Sequence, residues 1–143
     1  MKKLLKTAAI YAFSAIALGV FDREFTKWNN FTGLTPLSYL HVHFFVLGMF
    51  LYLILALFAK DSGLKENKQF KIFFIIHNIA LPWTVVMMLV RGILMVEQVT
   101  LAKGIDTLLS TFSGLGHLGI TVGLVFLFIA LFKVFCPKAE KKA

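Results

Sequence analysis

The residues of this 143-residue chain whose types and placement suit chemistry are four histidines and one arginine. His41, His43, His77 and His117 all fall in long apolar stretches, and so does Arg91. Ionisable side chains at membrane depth are costly and rare, so each is by default a functional candidate. One such histidine is equally well read as a satisfied packing residue. All the histidines of a chain so placed, on three separate stretches, point instead to ligand binding or proton handling. Neutral imidazoles ligate haem iron and metal ions, which makes His41, His43, His77 and His117 the candidate metal ligands. A divalent ion is poorly served, because Asp and Glu stand only at the ends of the apolar stretches and in the loops.

Helical geometry sorts these residues. His41 and His43 point about 200° apart on an α-helix, so a regular helix aims one at the bundle. The other is left to pack, bond a carbonyl or contact a neighbouring subunit. Gly48 lies close to two turns beyond His41, with Tyr52 following on the same face. A glycine below a histidine leaves a slot free of side chains that suits a flat macrocycle. Equally, it lets another helix approach, and spacing leaves both readings open. His77, Thr84, Met88, Arg91 and Met95 project within about 40° of one another, a polar and soft-ligand stripe expected to face the bundle interior. Pro82 interrupts that stripe and frees a backbone carbonyl. Gly116, Gly119 and Gly123 share a face, for which close helix packing is a sufficient account. His117 points away from that face, with Ser113 and Thr121 a turn to either side to orient it. Ala8, Ala12, Ala15 and Gly19 form a similar edge, beside which Tyr11 and Ser14 are the inward polar candidates.

The elements that must position these groups are four apolar stretches, at about 4–21, 37–59, 70–96 and 112–135, each near the roughly 20 residues a helix needs to cross a bilayer. Hydrophobic residues make up 59% of the chain and charged residues 15%, with 16 phenylalanines, which excludes an ordinary soluble domain. The runs are continuous rather than alternating, so helices are expected and a barrel is not. The fold class is all-α: a single integral-membrane, four-helix, up-down bundle. Lys2, Lys3 and Lys6 before an apolar run, with Ala15-Ile16-Ala17, have the form of a signal peptide, but the run continues through Leu18, Val20 and Phe21, so cleavage is not expected. Eleven of the fifteen basic residues fall on one side: Lys2, Lys3, Lys6, Lys60, Lys65, Lys68, Lys71, Lys133, Lys138, Lys141 and Lys142. The positive-inside rule makes that side, and both termini, cytoplasmic. Topology thus accounts for the net charge of +8, and no nucleic acid is expected as a partner. Cys136, the lone cysteine, excludes an intramolecular disulfide and reads as a bystander thiol.

Depth narrows the site. His41, His43 and His117 belong to the outer half, roughly 5–10 Å below the boundary, and His77 lies roughly 10 Å deeper. A bis-histidine site therefore joins the second span to the fourth, with Arg91 near the outer surface. That pattern suits haem b: two neutral imidazoles as axial ligands, an apolar aromatic pocket, and a guanidinium for a propionate.

The string His41-Val-His43-Phe-Phe-Val-Leu47-Gly48 resembles an H-x-H-x-x-x-L-G signature in spans of small proteins related to the haem-copper oxidase catalytic subunit. That resemblance implies that His41 or His43, together with His117, ligates haem. The oxidase subunit has many more spans and a histidine copper site for which nothing here corresponds, so oxygen reduction is not expected. Over nearly its whole length, with His77-Asn78, Val90-Arg91-Gly92-Ile93 and Ser113-Gly-Leu-Gly-His117, the chain resembles a bacterial family of small four-span membrane proteins of unknown function.

Three functions compete on these residues. The leading expectation is a haem-b protein of the bacterial cytoplasmic membrane, serving electron transfer, haem handling or sensing, with His41, His43, Gly48, His117 and Arg91 as its cofactor-binding set. The second is a metal- or proton-coupled transporter or channel subunit in which His77, Thr84 and Arg91 line a polar path. The third is a structural subunit whose histidines make interhelical hydrogen bonds. Catalysis finds little support: there is no plausible Ser–His–carboxylate set, no phosphate-binding Gly-rich loop and no buried carboxylate pair. Expected partners are the lipid bilayer, a second copy through the small-residue faces, and a redox partner.

Overall fold

The computed structural model describes residues 1–137 and is all-helical among them, so Lys138, Lys141 and Lys142 of the lysine cluster lie outside the described residues. Four helices are long and apolar enough to cross a membrane: α1 (Lys2–Trp28), α2 (Pro36–Phe58), α3 (Lys68–Val96) and α4 (Lys103–Phe135). They pack up and down around a core that includes Leu4, Tyr11, Leu40, Tyr52, Phe73, Leu81 and Leu127. Large apolar side chains remain outside, with Phe13 at 73% and Leu57 at 76% exposure, the surface of a multi-pass membrane protein rather than of one stable in water.

Helices α1, α3 and α4 run past their apolar stretches, because hydropathy marks where lipid begins and not where backbone hydrogen bonding ends, whereas α2 keeps the length of its stretch, shifted by one residue. The largest extension is at α4, which starts at Lys103 rather than near residue 112. Its polar first turns bond back on themselves, Thr107 Oγ1 to the Lys103 carbonyl and Thr111 Oγ1 to the Thr107 carbonyl, both at 2.9 Å. Two helix starts have side-chain caps. Thr35 accepts from the Leu37 amide ahead of Pro36, and Asn67 accepts from the amides of Gln69 and Phe70.

The closest helix pair is α3 with α4, and the glycine face makes it so. A Cβ at Gly119 would stand 2.8 Å from Ala80 Cβ, one at Gly116 would overlap Thr84 Oγ1, and one at Gly123 would touch His77. The packing expectation for these glycines therefore holds. On the other side of the bundle, Ala8 and Ala15 of α1 are buried and Gly19 lies against His41 of α2. Helices α2 and α4 meet through one aromatic pair near each end, His43 with His117 and Phe58 with Phe135.

Helix α2 departs from regular α geometry. Phe44–Phe50 form a wide, π-helical turn in which the Leu51 amide reaches back five residues to the Val46 carbonyl. When α spacing resumes, the next amide, that of Tyr52, is due the Gly48 carbonyl, so the Leu47 carbonyl is passed over. In a bilayer such a group needs another donor.

Candidate functional site

The histidines do not converge on one point; they occupy three settings. His41 faces α1, its Cβ 3.6 Å from where a Cβ of Gly19 would stand, its ring edge-on to Phe45, and its Nδ1 buried without a partner. His77 is fully buried, and its Nε2 donates to the Leu47 carbonyl at 2.9 Å, filling the vacancy left by the wide turn. Its Nδ1, the bare nitrogen of that tautomer, is enclosed with no partner. His43 and His117 form the remaining setting.

The His43 and His117 rings lie 6.3 Å apart, centroid to centroid, and nearly perpendicular at 86°. Each is held the same way. His43 Nδ1 donates to the Tyr39 carbonyl at 2.8 Å and His117 Nδ1 to the Ser113 carbonyl at 3.1 Å, one helical turn back. Donation from Nδ1 fixes the tautomer and leaves the Nε2 lone pair of each ring unused, the state in which imidazole is a ligand. The orienting groups are thus backbone carbonyls and not the hydroxyls expected from spacing. Ser113 Oγ bonds the Leu109 carbonyl, and Thr121 Oγ1 bonds the His117 carbonyl. Both rings are partly open at the α2–α4 surface.

A cleft of about 370 Å³ lies one turn from the pair, lined by Tyr39 and Ser113 and, from α3, by Met88 and Arg91. The Arg91 guanidinium donates to Ser110 Oγ at 2.9 Å and pairs with Asp106 at 3.2 Å, both on the polar first turns of α4. An incoming carboxylate would share that cation with Asp106. The α3 stripe is enclosed at His77 and Thr84 and opens outward, Met95 being exposed. Gly48 is placed apart from this cleft. A Cβ on it would stand 2.5 Å from Tyr11 Cγ, so the space beside it holds the Tyr11 ring and the helix-approach reading fits. No cluster of three or more His, Cys, Asp or Glu suited to a metal ion occurs among the described residues.

The family model described as protein of unknown function (DUF2871) matches residues 1–134. The chain belongs to that family. No curated protein and no solved structure matches it. What distinguishes this DUF2871 chain is therefore carried by its own geometry.

Sequence reasoning passed over one polar centre. Asn78 accepts from the Tyr11 hydroxyl at 3.0 Å and donates to the Tyr52 hydroxyl and to the Phe74 carbonyl, joining α1, α2 and α3 inside the bundle. Tyr11 and Tyr52 stack in parallel above it, 5.9 Å apart. A lone asparagine carries no periodic signal; the signal that was present is that Tyr11, expected to face inward, needs a partner for its hydroxyl.

Proposed function

We propose that this chain is a haem-b-binding protein of the bacterial cytoplasmic membrane, with both termini inside, serving electron transfer, haem handling or sensing. His43 of α2 and His117 of α4 would hold the haem. The observation that carries this reading is the matched pair of imidazoles, each tied through Nδ1 to the carbonyl four residues back, with Nε2 left for a metal. The two rings stand 6.3 Å apart, centroid to centroid, near enough for both to hold the same group. When bound, the haem supplies one-electron chemistry. The chain's part is to hold both imidazoles in the ligating tautomer. Met88 and Tyr39 offer apolar surface beside them, and Arg91 offers a cation at the rim of the cleft. The cytoplasmic assignment of the termini rests on the distribution of lysines.

The test is to purify the protein in mild detergent from cells supplied with a haem precursor. Oxidised and dithionite-reduced spectra are recorded beside a metal analysis. A Soret band with sharp reduced α and β bands is expected for six-coordinate haem. A colourless, metal-free protein overturns the proposal.

A further inference from the structure

The lysine-rich end of the bundle carries a recess between α1 and α3 that haem binding does not use. Lys3, Lys65 and Lys71 line it together against Leu4, Phe70 and Phe74, and it holds about 380 Å³. None of these three lysines forms an ion pair among the described residues, whereas Arg23 and Arg91 at the other end both do. Lys3 Nζ rests 4.1 Å over the Phe74 ring, which holds the charge at the apolar wall. Met1 also lines the recess, and the Glu66 carboxylate lies near that end of it, so the three lysines gather against a single nearby counter-charge, and an anion among them relieves the repulsion that remains.

The recess continues into a furrow of about 530 Å³ that shares Lys3 and Phe74 with it and runs past Ile10 to Ser14. From Lys3 to Ser14 the α1 helix rises roughly 16 Å at 1.5 Å per residue, about half of a hydrocarbon core some 30 Å thick. A cationic recess at the interface and a largely apolar furrow one leaflet long match a molecule with an anionic head and a hydrocarbon tail. A free phosphate would leave the furrow without an occupant, and a zwitterionic lipid would bring its own cation among the lysines.

We propose that the α1–α3 face holds one anionic phospholipid, its phosphate among Lys3, Lys65 and Lys71 and one acyl chain along the furrow past Phe74 and Ile10. Basic pockets between spans on the cytoplasmic side are suited to such head groups. The site lies at the opposite end of the bundle from His43 and His117 and stands whether or not haem is bound.

Native mass spectrometry of the detergent-solubilised full chain tests this, titrated with dioleoyl-phosphatidylglycerol and, separately, dioleoyl-phosphatidylcholine. One phosphatidylglycerol is expected to bind about tenfold or more tighter than phosphatidylcholine. The combined variant Lys3→Gln, Lys65→Gln, Lys71→Gln loses that preference, whereas Arg23→Gln, Lys27→Gln, Lys103→Gln, with the same charge change at the other end, keeps it. Ile10→Trp, which fills the furrow with the lysines intact, weakens binding, and glycerol 3-phosphate does not displace the lipid. Equal affinity for the two lipids, or equal loss in both lysine and opposite-end variants, overturns the proposal. Displacement by glycerol 3-phosphate, or unchanged binding in Ile10→Trp, leaves only a phosphate site and overturns it as well.

Discussion

His77 of α3 donates its Nε2 proton to the Leu47 carbonyl of α2 at 2.9 Å, and that carbonyl is the one skipped when α2 returns from its wide turn to α spacing. The two features sustain each other. The wide turn needs a donor from outside its own helix, and an imidazole buried among Tyr52, Phe73 and the α4 glycine face needs an acceptor. This accounts for His77 Nε2 as an interhelical tie, while Nδ1 stays enclosed without a partner, and His77 and Thr84 are both fully buried.

Replacing His77 by Phe should therefore lower stability by about 1–2 kcal/mol, the range for losing one interhelical hydrogen bond and stranding a carbonyl. His77→Gln, which keeps a donor, should lose less. The readout is the midpoint of unfolding followed by circular dichroism as dodecyl sulfate displaces a mild detergent. An unchanged midpoint for His77→Phe would mean that the Leu47 carbonyl finds its partner elsewhere.

If haem binds as proposed, His41, His43 and His117 should separate cleanly in its spectrum. His43→Ala and His117→Ala each remove one of the two imidazoles that would hold the haem, so the sharp reduced bands expected of the unaltered protein should give way to a broadened spectrum or to loss of pigment. His41→Ala should leave the spectrum as it is, because His41 faces Gly19 across the α1–α2 contact. Full retention of the spectrum in His117→Ala would exclude the α2–α4 site.

The span count, the α3-facing glycine stripe and the opposite pointing of His41 and His43 were legible in sequence, because each follows from a helical period or from the length of an apolar run. The choice between the two histidines was not. It depends on which neighbour lies on each side of α2, and the period of α2 says nothing of its neighbours. The wide turn was also hidden. Phe44–Phe50 is as apolar and as helix-compatible as the residues around it, and the acceptor it exposes is backbone, which has no signature. Tyr11 could be expected inside, but its meeting with Tyr52 at Asn78 rests on contacts between residues 67 and 26 positions apart.

The glycine face makes a second stability prediction with an internal control. Gly119→Val puts a branched side chain where even a Cβ stands 2.8 Å from Ala80 Cβ, so α4 must move away from α3. Overpacking of this kind costs about 1–3 kcal/mol. Gly114→Ala on the same helix meets nothing within 4 Å and should be neutral or slightly stabilising. The two variants compared by the same unfolding midpoint should therefore differ in sign or nearly so. Similar losses in both would mean that α3 and α4 are not in close contact along this face.

The Tyr11–Asn78–Tyr52 centre should behave as one unit rather than as separate bonds. Asn78→Leu removes the acceptor of the Tyr11 hydroxyl and the donor to the Tyr52 hydroxyl together, leaving both partly buried groups to find other partners, at about 1–3 kcal/mol. Tyr11→Phe alone removes the group that bonds Asn78 Oδ1 and should cost less, because Asn78 retains its bonds to Tyr52 and to the Phe74 carbonyl. In the double variant the penalty for the stranded Tyr11 hydroxyl vanishes, so the two losses should fall short of additive by about 0.5 kcal/mol or more. Strict additivity in the three unfolding midpoints would show that the Tyr11 hydroxyl and Asn78 do not depend on each other, and that packing of the Tyr11 ring on Phe44, Gly48 and Tyr52 joins α1 to α2 at this level.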